Sequence, residues 1–177
     1  MTSTLVSLFK ARDIIQYGTF QLKSGETSDV YVNIKNIISY PSLHALVCSM
    51  ITEKIIKAST IHRICGTPYG AVSFTSYISI AEQIPMLFLR KETKEYGTRK
   101  LVEGRFYTGE SVILIEDVVT SGQSVMDAAR QLEKLGLHVI QIISVFSRCP
   151  NTKLVYKNIN GVSVPIEYLL HMNDINR

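Results

Sequence analysis

The chain has 177 residues, a length typical of one domain that buries about two thirds of its unfolded surface in a single core. Apolar residues make up 46% of the sequence and charged residues 19%, which excludes disordered and fibrous proteins and indicates a soluble globular one. The net charge of +4 is mild, so it suits anionic small molecules as readily as nucleic acid, and no long basic run favours nucleic acid.

The cysteines and the apolar segments indicate the compartment. Cys48, Cys65 and Cys149 are far apart and form no CxxC pair, so neither a disulfide framework nor a zinc site is indicated. We expect reduced, mostly buried thiols. The N-terminus has no long apolar core, and no segment approaches 18 apolar residues. The sequence therefore predicts a cytosolic protein without a membrane segment.

The N-terminal region predicts a helix followed by two strands. Apolar residues from Leu5 to Ile15 recur at helical spacing and predict a short amphipathic helix that ends near Gly18. Residues 19–25 predict a strand that leads into a turn. Residues 28–34 alternate apolar and polar side chains, which is typical of a half-buried strand. We expect these two strands to form a hairpin-like cap over a site.

Strands and helices alternate in the middle of the chain. A helix is predicted to begin at Pro41, and a second helix over residues 71–83 is predicted between strands at 61–65 and 86–89. This alternation with short loops predicts an α/β fold, in which helices cover a parallel sheet and ligands bind at the carboxyl ends of the strands.

The stretch 111–124 joins a strand to a helix. Residues 112–115 are apolar and rich in β-branched types, so they predict a buried strand, and Glu116 and Asp117 follow where we expect that strand to end. Hydroxyl side chains then surround Gly122. Apolar residues at helical spacing follow and predict a helix over residues 123–135.

This stretch combines an anion site with two acids. A helix N-terminus presents unpaired N–H groups and partial positive charge, and Gly122 lets the backbone approach a phosphate closely. Carboxylates beside a phosphate need hydroxyls or a metal ion to face. Phosphoribosyl diphosphate (PRPP) with Mg²⁺ supplies a phosphate, a diol and a metal ion. On composition alone, an ordinary buried strand with a capped helix, in which Asp117 is a turn residue, explains the stretch equally well.

Two further segments flank this stretch. Residues 90–104 are the most charged segment, have no apolar periodicity and predict a mobile surface loop. The loop is either a solvated connector or a closing loop whose cations face a pyrophosphate leaving group.

Residues 138–146 predict a long strand that delivers Arg148 to the same sheet edge as Asp117. Farther on, the sequence predicts a loop over 151–160, a strand over 162–166 and a terminal helix over 167–172.

Three motifs occur in the chain in the order expected for one family. The first is Phe20-x-Leu-Lys-Ser-Gly-x-x-Ser28-x-x-Tyr31-x-Asn33. The second is Arg90-Lys-Glu-Thr-Lys-Glu-Tyr-Gly97 with Leu101-Val-Glu-Gly104, and the third is the stretch 111–124. Together they resemble the orotate phosphoribosyltransferases of the type I phosphoribosyltransferase family. The resemblance runs from about the start to Arg148, and the loop is more similar to the transferase half of eukaryotic UMP synthase than to bacterial enzymes. It implies one phosphoribosyltransferase domain over 1–177, with a central, mostly parallel sheet flanked by helices and a small N-terminal hood over the active site.

The resemblance implies transfer of the phosphoribosyl group of PRPP to orotate, which gives orotidine 5′-monophosphate and diphosphate in pyrimidine biosynthesis. Mg²⁺ is implied as a cofactor held mainly through PRPP and water, without a protein metal site. The implied catalytic residues are Lys94, Asp117 and Glu116. Asp117 would stabilise the cationic ribose ring, and Lys94 would neutralise the departing pyrophosphate.

The resemblance also implies the binding residues. Those for PRPP are Lys23, Tyr69, Gly70, Arg90, Lys91, Lys94, Tyr96, Glu116, Asp117, Val118, Val119, Thr120, Ser121, Gly122, Gln123 and Ser124. Residues 67–70 would form the pyrophosphate loop, which carries a cis peptide in the family. Those for orotate are Lys23, Tyr31, Val32, Thr120 and Arg148, and the guanidinium of Arg148 would pair with the orotate carboxylate.

Three positions depart from the family pattern. Gly70 stands where bacterial members have a lysine, Tyr96 replaces a loop histidine, and Ser147 replaces the aspartate usual before the arginine, so the support of Arg148 is open. The resemblance also implies a homodimer in which the loop 90–104 acts across the interface. Because the chain stops at Arg177, the decarboxylase half of UMP synthase is expected either to be a separate protein or not to be needed.

Other readings remain for the function and for single residues. A purine phosphoribosyltransferase shares the fold, but Lys23, Tyr31 and Arg148 suit a carboxylated pyrimidine better. A catalytically silent PRPP-sensing regulator would have no leaving group for Lys94 to stabilise. Taken singly, Lys23 could be a surface lysine, Tyr31 an exposed strand aromatic and Arg148 a salt-bridge partner. The four histidines are scattered without metal-ligand spacing and are expected to be structural.

Overall fold

A computed structural model describes residues 2–21, 25, 27–55, 61–90, 101–150 and 153–175 of the chain. Its α-helices are α1 Thr2–Lys10, α2 Pro41–Lys54, α3 Val72–Glu82, α4 Gln123–Lys134 and α5 Met172–Ile175. Its strands are β1 Ile15–Gln21, β2 Thr27–Val32, β3 Arg63–Gly66, β4 Met86–Leu89, β5 Val102–Glu103, β6 Ser111–Val119, β7 His138–Ser147, β8 Val155–Lys157 and β9 Ser163–His171. A 3₁₀ helix, Ile34–Ser39, connects β2 to α2.

Seven strands form a mixed, mostly parallel sheet with the order β5-β4-β3-β6-β7-β9-β8. The inner strands β4, β3, β6, β7 and β9 are parallel, and β5 and β8 run antiparallel at the edges. One apolar cluster includes Phe9, Val47 and Phe74 of helices α1, α2 and α3, and a second cluster includes Val125 and Leu132 of α4. The sequence prediction of an α/β fold with a mostly parallel sheet is therefore confirmed.

The N-terminal strands β1 and β2 form a separate antiparallel hairpin, in which Ile15 pairs with Val32. The predicted helix end near Gly18 is wrong, because α1 ends at Lys10 and Asp13 turns into the left-handed region with φ 52°. The apolar pair Ile14 and Ile15, which was assigned to that helix, is buried at the entry to β1.

Two predicted boundaries around the sheet are also wrong. β6 continues to Val119 instead of ending at residue 115, because parallel pairing with β7 extends to the Val119–Ser147 pair. Glu116 and Asp117 therefore lie within the strand. Val102 and Glu103, predicted to be loop, form β5 against β4, and Val102 is buried.

The C-terminal prediction of a loop, a short strand and a helix needs two corrections. β8 lies within the predicted loop 151–160, and β9 continues to His171 through the predicted helix 167–172. Alternate burial of Val164 and Ile166 and parallel pairing with β7 over Ile142–Ser147 hold this region as a strand. The helix α5 covers Met172–Ile175 only.

Several smaller expectations hold in the structure. Val30 and Val32 of β2 are buried, and β4 has the predicted bounds. All three cysteines are free and buried, and burial raises the pKa of the Cys48 and Cys65 thiols to about 12. Among the described residues, no helix combines the length and apolarity that a membrane crossing requires.

Candidate functional site

The turn between β6 and α4 forms an open cradle of backbone donors. Gly122, at φ 81°, lies at the N-cap of α4, and no side chain caps this helix. Within the described residues, the backbone N–H groups of Ser121, Gly122 and Ser124 have no hydrogen-bond acceptor, whereas that of Gln123 donates to Ser121 Oγ at 3.3 Å. A cavity of about 80 Å³ lies against this turn. An N-terminus in this state is suited to a phosphate-sized anion.

A glycine is required at the cap for two reasons. The left-handed φ of Gly122 disfavours other residues, and an added Cβ would lie 3.2 Å from Met126 Cε and 3.3 Å from Leu154 Cδ1. A side chain at this position would therefore be crowded by Met126 and Leu154, and glycine fits the turn without displacing them.

Glu116 is the more enclosed of the two acids. Its Oε1 accepts a hydrogen bond from Thr67 Oγ1 at 2.5 Å and one from the Asp117 N–H at 3.1 Å. Only 7% of Glu116 is exposed. Burial, followed by the neighbouring Asp117 side chain, raises the pKa of Glu116 to about 8, against the opposing effect of the Thr67 hydroxyl.

Asp117 lies beside the loop 67–70. A Cβ added to Gly70 would lie 1.8 Å from Asp117 Oδ2 and 2.2 Å from its Cγ, so the carboxylate fills the space that a side chain at position 70 would need. The Pro68–Tyr69 peptide bond in this loop is cis. A side chain at position 70 would therefore displace the Asp117 carboxylate.

A cavity of about 250 Å³ joins these parts. Thr67, Arg90, Glu116 and Ser124 line it, so the first residues of the loop 67–70, one of the two acids and the start of α4 share one space. The guanidinium of Arg90 forms an ion pair with Glu103, and its Nε donates to Glu103 Oε1 at 2.6 Å. Arg90 thus lines the predicted site, but its guanidinium is paired with the carboxylate of Glu103. The sequence analysis did not single out Glu103.

Arg148 lies at the same edge of the sheet, as predicted. Its backbone N–H donates to Val119 O at 2.7 Å, and its Nη2 donates to Ser28 Oγ at 3.1 Å. Ser147 instead accepts the Cys149 N–H at 3.3 Å. The support left open by the missing aspartate therefore comes from Ser28 in the hairpin.

The other predicted ligand contacts divide into three groups. Tyr31 is 40% exposed and stacks on Phe20 with 5.4 Å between ring centroids, whereas Val32 is buried in the core. Tyr69 is 65% exposed, and Thr120 is exposed as well. Four predicted site residues lie outside the described residues: Lys23, Lys91, Lys94 and Tyr96.

The described residues contain no group of three or more His, Cys, Asp or Glu side chains arranged to hold a metal ion. The site nevertheless offers the carboxylates of Glu116 and Asp117 beside an anion cradle. Mg²⁺ is commonly bound by one or two carboxylates together with substrate phosphates and water. The donor set fits a metal ion that arrives with a phosphorylated ligand.

Sequence reasoning missed Ser28 and Glu103 as side chains that hold the site cations. Ser28 stands in the first sequence motif, but its partner Arg148 is 120 residues away, and no local pattern links them. Glu103 lies inside the charged run 90–104, where acids and bases look alike as solvated residues. Strand pairing between β4 and β5 is what brings Glu103 to Arg90.

The sequence is similar to curated transferases. It is 38% identical over 149 residues to orotate phosphoribosyltransferase of Pyrococcus abyssi, a match that covers 84% of this chain and 82% of that protein. It is 40% identical over 134 residues to bovine uridine 5′-monophosphate synthase, which covers 75% of this chain. The chain spans only 28% of the length of that bovine protein. No protein-family model matches the sequence.

The fold is similar to solved structures. Orotate phosphoribosyltransferase of Aeropyrum pernix superimposes with a TM-score of 0.79 at 21% identity, covering 97% of this chain and 95% of that one. The Mycobacterium tuberculosis enzyme, solved in complex with PRPP, gives 0.73 at 20% identity and covers 99% of both chains. At these identities the likeness supports the fold.

Proposed function

This chain belongs to the orotate phosphoribosyltransferase family, and from that membership we propose that it transfers the phosphoribosyl group of PRPP to orotate, giving orotidine 5′-monophosphate and diphosphate. One observation carries the proposal. The open N–H cradle at α4, the acids Glu116 and Asp117, and the cation Arg148 all lie at the carboxyl edge of one sheet.

The cradle would bind the 5′-phosphate of PRPP. The free N–H groups of Ser121, Gly122 and Ser124 supply donors that need no rearrangement, and the hydroxyls of Thr120 and Ser121 are exposed beside them. The helix dipole adds partial positive charge at the same place. Binding there would fix the ribose ring relative to the acids.

The acids would act on the ribose ring. Displacement at the anomeric carbon develops positive charge on the ring, and a carboxylate held close to it stabilises that charge. Asp117 is the half-buried member of the pair, and its carboxylate occupies the space that a side chain at Gly70 would need. Glu116 is supported by Thr67 and would accept a hydrogen bond from a ribose hydroxyl.

Arg148 would recognise the carboxylate of orotate. Among the described residues it forms no salt bridge, so its charge is available to a ligand. A guanidinium binds a planar carboxylate through two parallel N–H bonds. Tyr31, which is partly exposed on the hairpin, would face the pyrimidine ring.

We propose Mg²⁺ as the cofactor, held through the diphosphate, the ribose hydroxyls and water, with Asp117 and Glu116 as the nearest carboxylates. When bound, it would neutralise charge on the leaving diphosphate.

We also propose a homodimer in which the segment 90–104 of one copy, with Lys94, closes on the site of the other. The buried free thiols support a reducing compartment such as the cytosol.

The test is a direct assay of purified protein with Mg²⁺ and PRPP. Loss of orotate absorbance with equal release of diphosphate is the expected result, and adenine, guanine and hypoxanthine in parallel should remain unchanged. Turnover of a purine but not of orotate would overturn the assignment of the base. PRPP binding without any turnover would indicate a sensor.

A further inference from the structure

We propose that Ser28 is a positioning residue for orotate recognition, because its hydroxyl orients the guanidinium of Arg148 toward the carboxylate of the base. This inference rests on the proposed function and adds a residue to it. Ser28 lies in β2 of the hairpin, and Arg148 follows β7 of the main sheet. The hydrogen bond between them, 3.1 Å from Nη2 to Oγ, joins the two sheets at the site.

The hydroxyl of Ser28 has a fixed direction. It donates to Val30 O at 2.8 Å and accepts the Val30 N–H at 3.3 Å, in addition to the Arg148 Nη2. A serine hydroxyl has one donor and two acceptor positions, so all three are used. Because the hydroxyl proton is directed at Val30 O, a lone pair of the oxygen faces Arg148.

The backbone at Arg148 is held on both sides. Its own N–H is bound to Val119 O, and the carbonyl of Cys149 accepts a hydrogen bond of 2.8 Å from His171 Nε2. The opposite ring nitrogen of His171 accepts the Asn173 N–H at 3.0 Å, which defines Nε2 as the protonated nitrogen. The freedom that remains at Arg148 is in its side-chain torsions, and Ser28 restricts these.

The contact leaves the guanidinium able to bind a carboxylate. Arginine has five N–H donors, and Ser28 takes one of the two on Nη2. The other donors include a parallel pair for two carboxylate oxygens. A neutral acceptor orients the cation without neutralising it, whereas an aspartate would compete with the ligand for its charge.

A purely structural role is the alternative, in which the bond merely fastens the hairpin to the sheet. The two roles give different kinetics. Positioning affects the ligand that carries a carboxylate, whereas fastening affects the whole site and the stability of the fold. The relevant measurements are therefore KM for orotate, KM for PRPP, and the affinity of uracil, a pyrimidine that lacks the carboxylate.

The experiment compares Ser28→Ala and Ser28→Thr with the wild type. Because a small misplacement of a binding group sharply weakens its contact with the ligand, Ser28→Ala should raise KM for orotate by roughly tenfold or more. Three other quantities should change by less than about twofold: KM for PRPP, kcat and the inhibition constant of uracil. A twofold change is about the size of the effect that a substitution without a specific role usually has. Ser28→Thr keeps the acceptor and should restore most of the orotate affinity.

Ser79→Ala is the matched control. The Ser79 hydroxyl donates to Ile84 O at 2.7 Å near the end of α3, so this variant also removes a hydrogen bond from a serine to a backbone carbonyl. It should leave KM for orotate unchanged. The inference is overturned if wild-type protein turns over orotate but Ser28→Ala keeps the wild-type KM for it. It is equally overturned if PRPP and uracil weaken in step with orotate, or if Ser28→Thr fails to rescue. A wild type that does not turn over orotate would instead refute the proposed function.

Discussion

The two ends of α4 use the same kinds of polar groups in opposite ways. At its start, Gly122 provides no cap, and the N–H groups of Ser121, Gly122 and Ser124 are free among the described residues. At its end, the buried carboxylate of Glu133 accepts the Tyr156 hydroxyl at 2.5 Å and the Ile159 N–H at 3.0 Å. The first end is open to a ligand, and the second is closed by the protein itself.

This difference separates function from stability along one helix. Open donors at the start gain no stabilisation from the fold, so they are available to an anion. The closed end fastens α4 to the β8–β9 region and shields Glu133 from water. Burial, together with the bond to Glu133, raises the pKa of Tyr156, so its hydroxyl stays a donor. Changes near the open end should alter turnover, and changes at the closed end should alter unfolding.

The largest effect is expected from Asp117→Asn, which removes the charge beside the ribose and keeps the shape. Loss of one preorganised stabilising group typically lowers kcat by about 10² to 10³. Asp13→Asn is the control, since Asp13 is an exposed acid in the turn between α1 and β1 and is not one of the predicted site residues. Steady-state rates at saturating substrates measure the effect, and equal rates for wild type and Asp117→Asn would contradict the role of Asp117.

Glu116 should make PRPP binding depend on pH. Its pKa of about 8 means that the free protein holds this proton at neutral pH, whereas the ionised acid is the stronger acceptor for a ribose hydroxyl. KM for PRPP should therefore fall as pH rises toward about 8, by up to about tenfold per pH unit, and then level off. Glu116→Gln should flatten the profile. A wild-type profile that is already flat between about pH 6 and 8 would show that this acid does not contact the ligand.

The same shift affects stability with a definite sign. The pKa of Glu116 is raised above its usual 4.5, so the folded protein binds the proton more tightly than the unfolded one. Its stabilising contribution is complete below pH 4.5 and is lost as pH rises through about 8. The difference in unfolding free energy between wild type and Glu116→Gln should change across that window, which denaturant titrations at several pH values can measure.

Gly70→Ala should lower turnover by a smaller factor, about tenfold, because the new Cβ would overlap Asp117 and displace its carboxylate. Gly161→Ala is a useful contrast. Gly161 has φ 75° with nothing within 4 Å of an added Cβ, so alanine there should strain the backbone without touching the site. Turnover by Gly70→Ala at the wild-type rate would show that the placement of Asp117 does not depend on this glycine.

Tyr156→Phe tests the closed end and should have the smallest effect on turnover. It leaves a buried carboxylate without one donor, which should lower the free energy of unfolding by about 1 to 3 kcal/mol. The rate and both KM values should remain at wild-type levels. If Tyr156→Phe impaired PRPP binding as strongly as changes at the open end, the separation of the two ends would be wrong.

The sequence predicted the open end better than the closed one. Residues 111–124 showed a strand, acids, a glycine and a helix start in one contiguous stretch, and short-range patterns of this kind are readable. Glu133 and Tyr156 meet across 23 residues, and β8 was predicted as loop. No local pattern indicates the contact between Glu133 and Tyr156, because Tyr156 lies in a short strand that is defined by its pairing with β9.

Boundary errors had the same cause. β6 was predicted to end at residue 115 because polar residues begin there, but pairing with β7 continues the strand through both acids. The first half of β9 was predicted as a strand, but its second half was assigned to a helix over residues 167–172, because the strand character there depends on pairing with β7. Arg148 was placed correctly from the strand before it, whereas its partner Ser28 required the folded chain.

A crystal structure of the protein with PRPP and Mg²⁺ tests the central claim most directly. The account predicts the 5′-phosphate against the N–H groups of Ser121, Gly122 and Ser124, with the ribose hydroxyls facing Glu116 and Asp117. PRPP bound away from the start of α4, or a 5′-phosphate that contacts none of these N–H groups, would contradict the account.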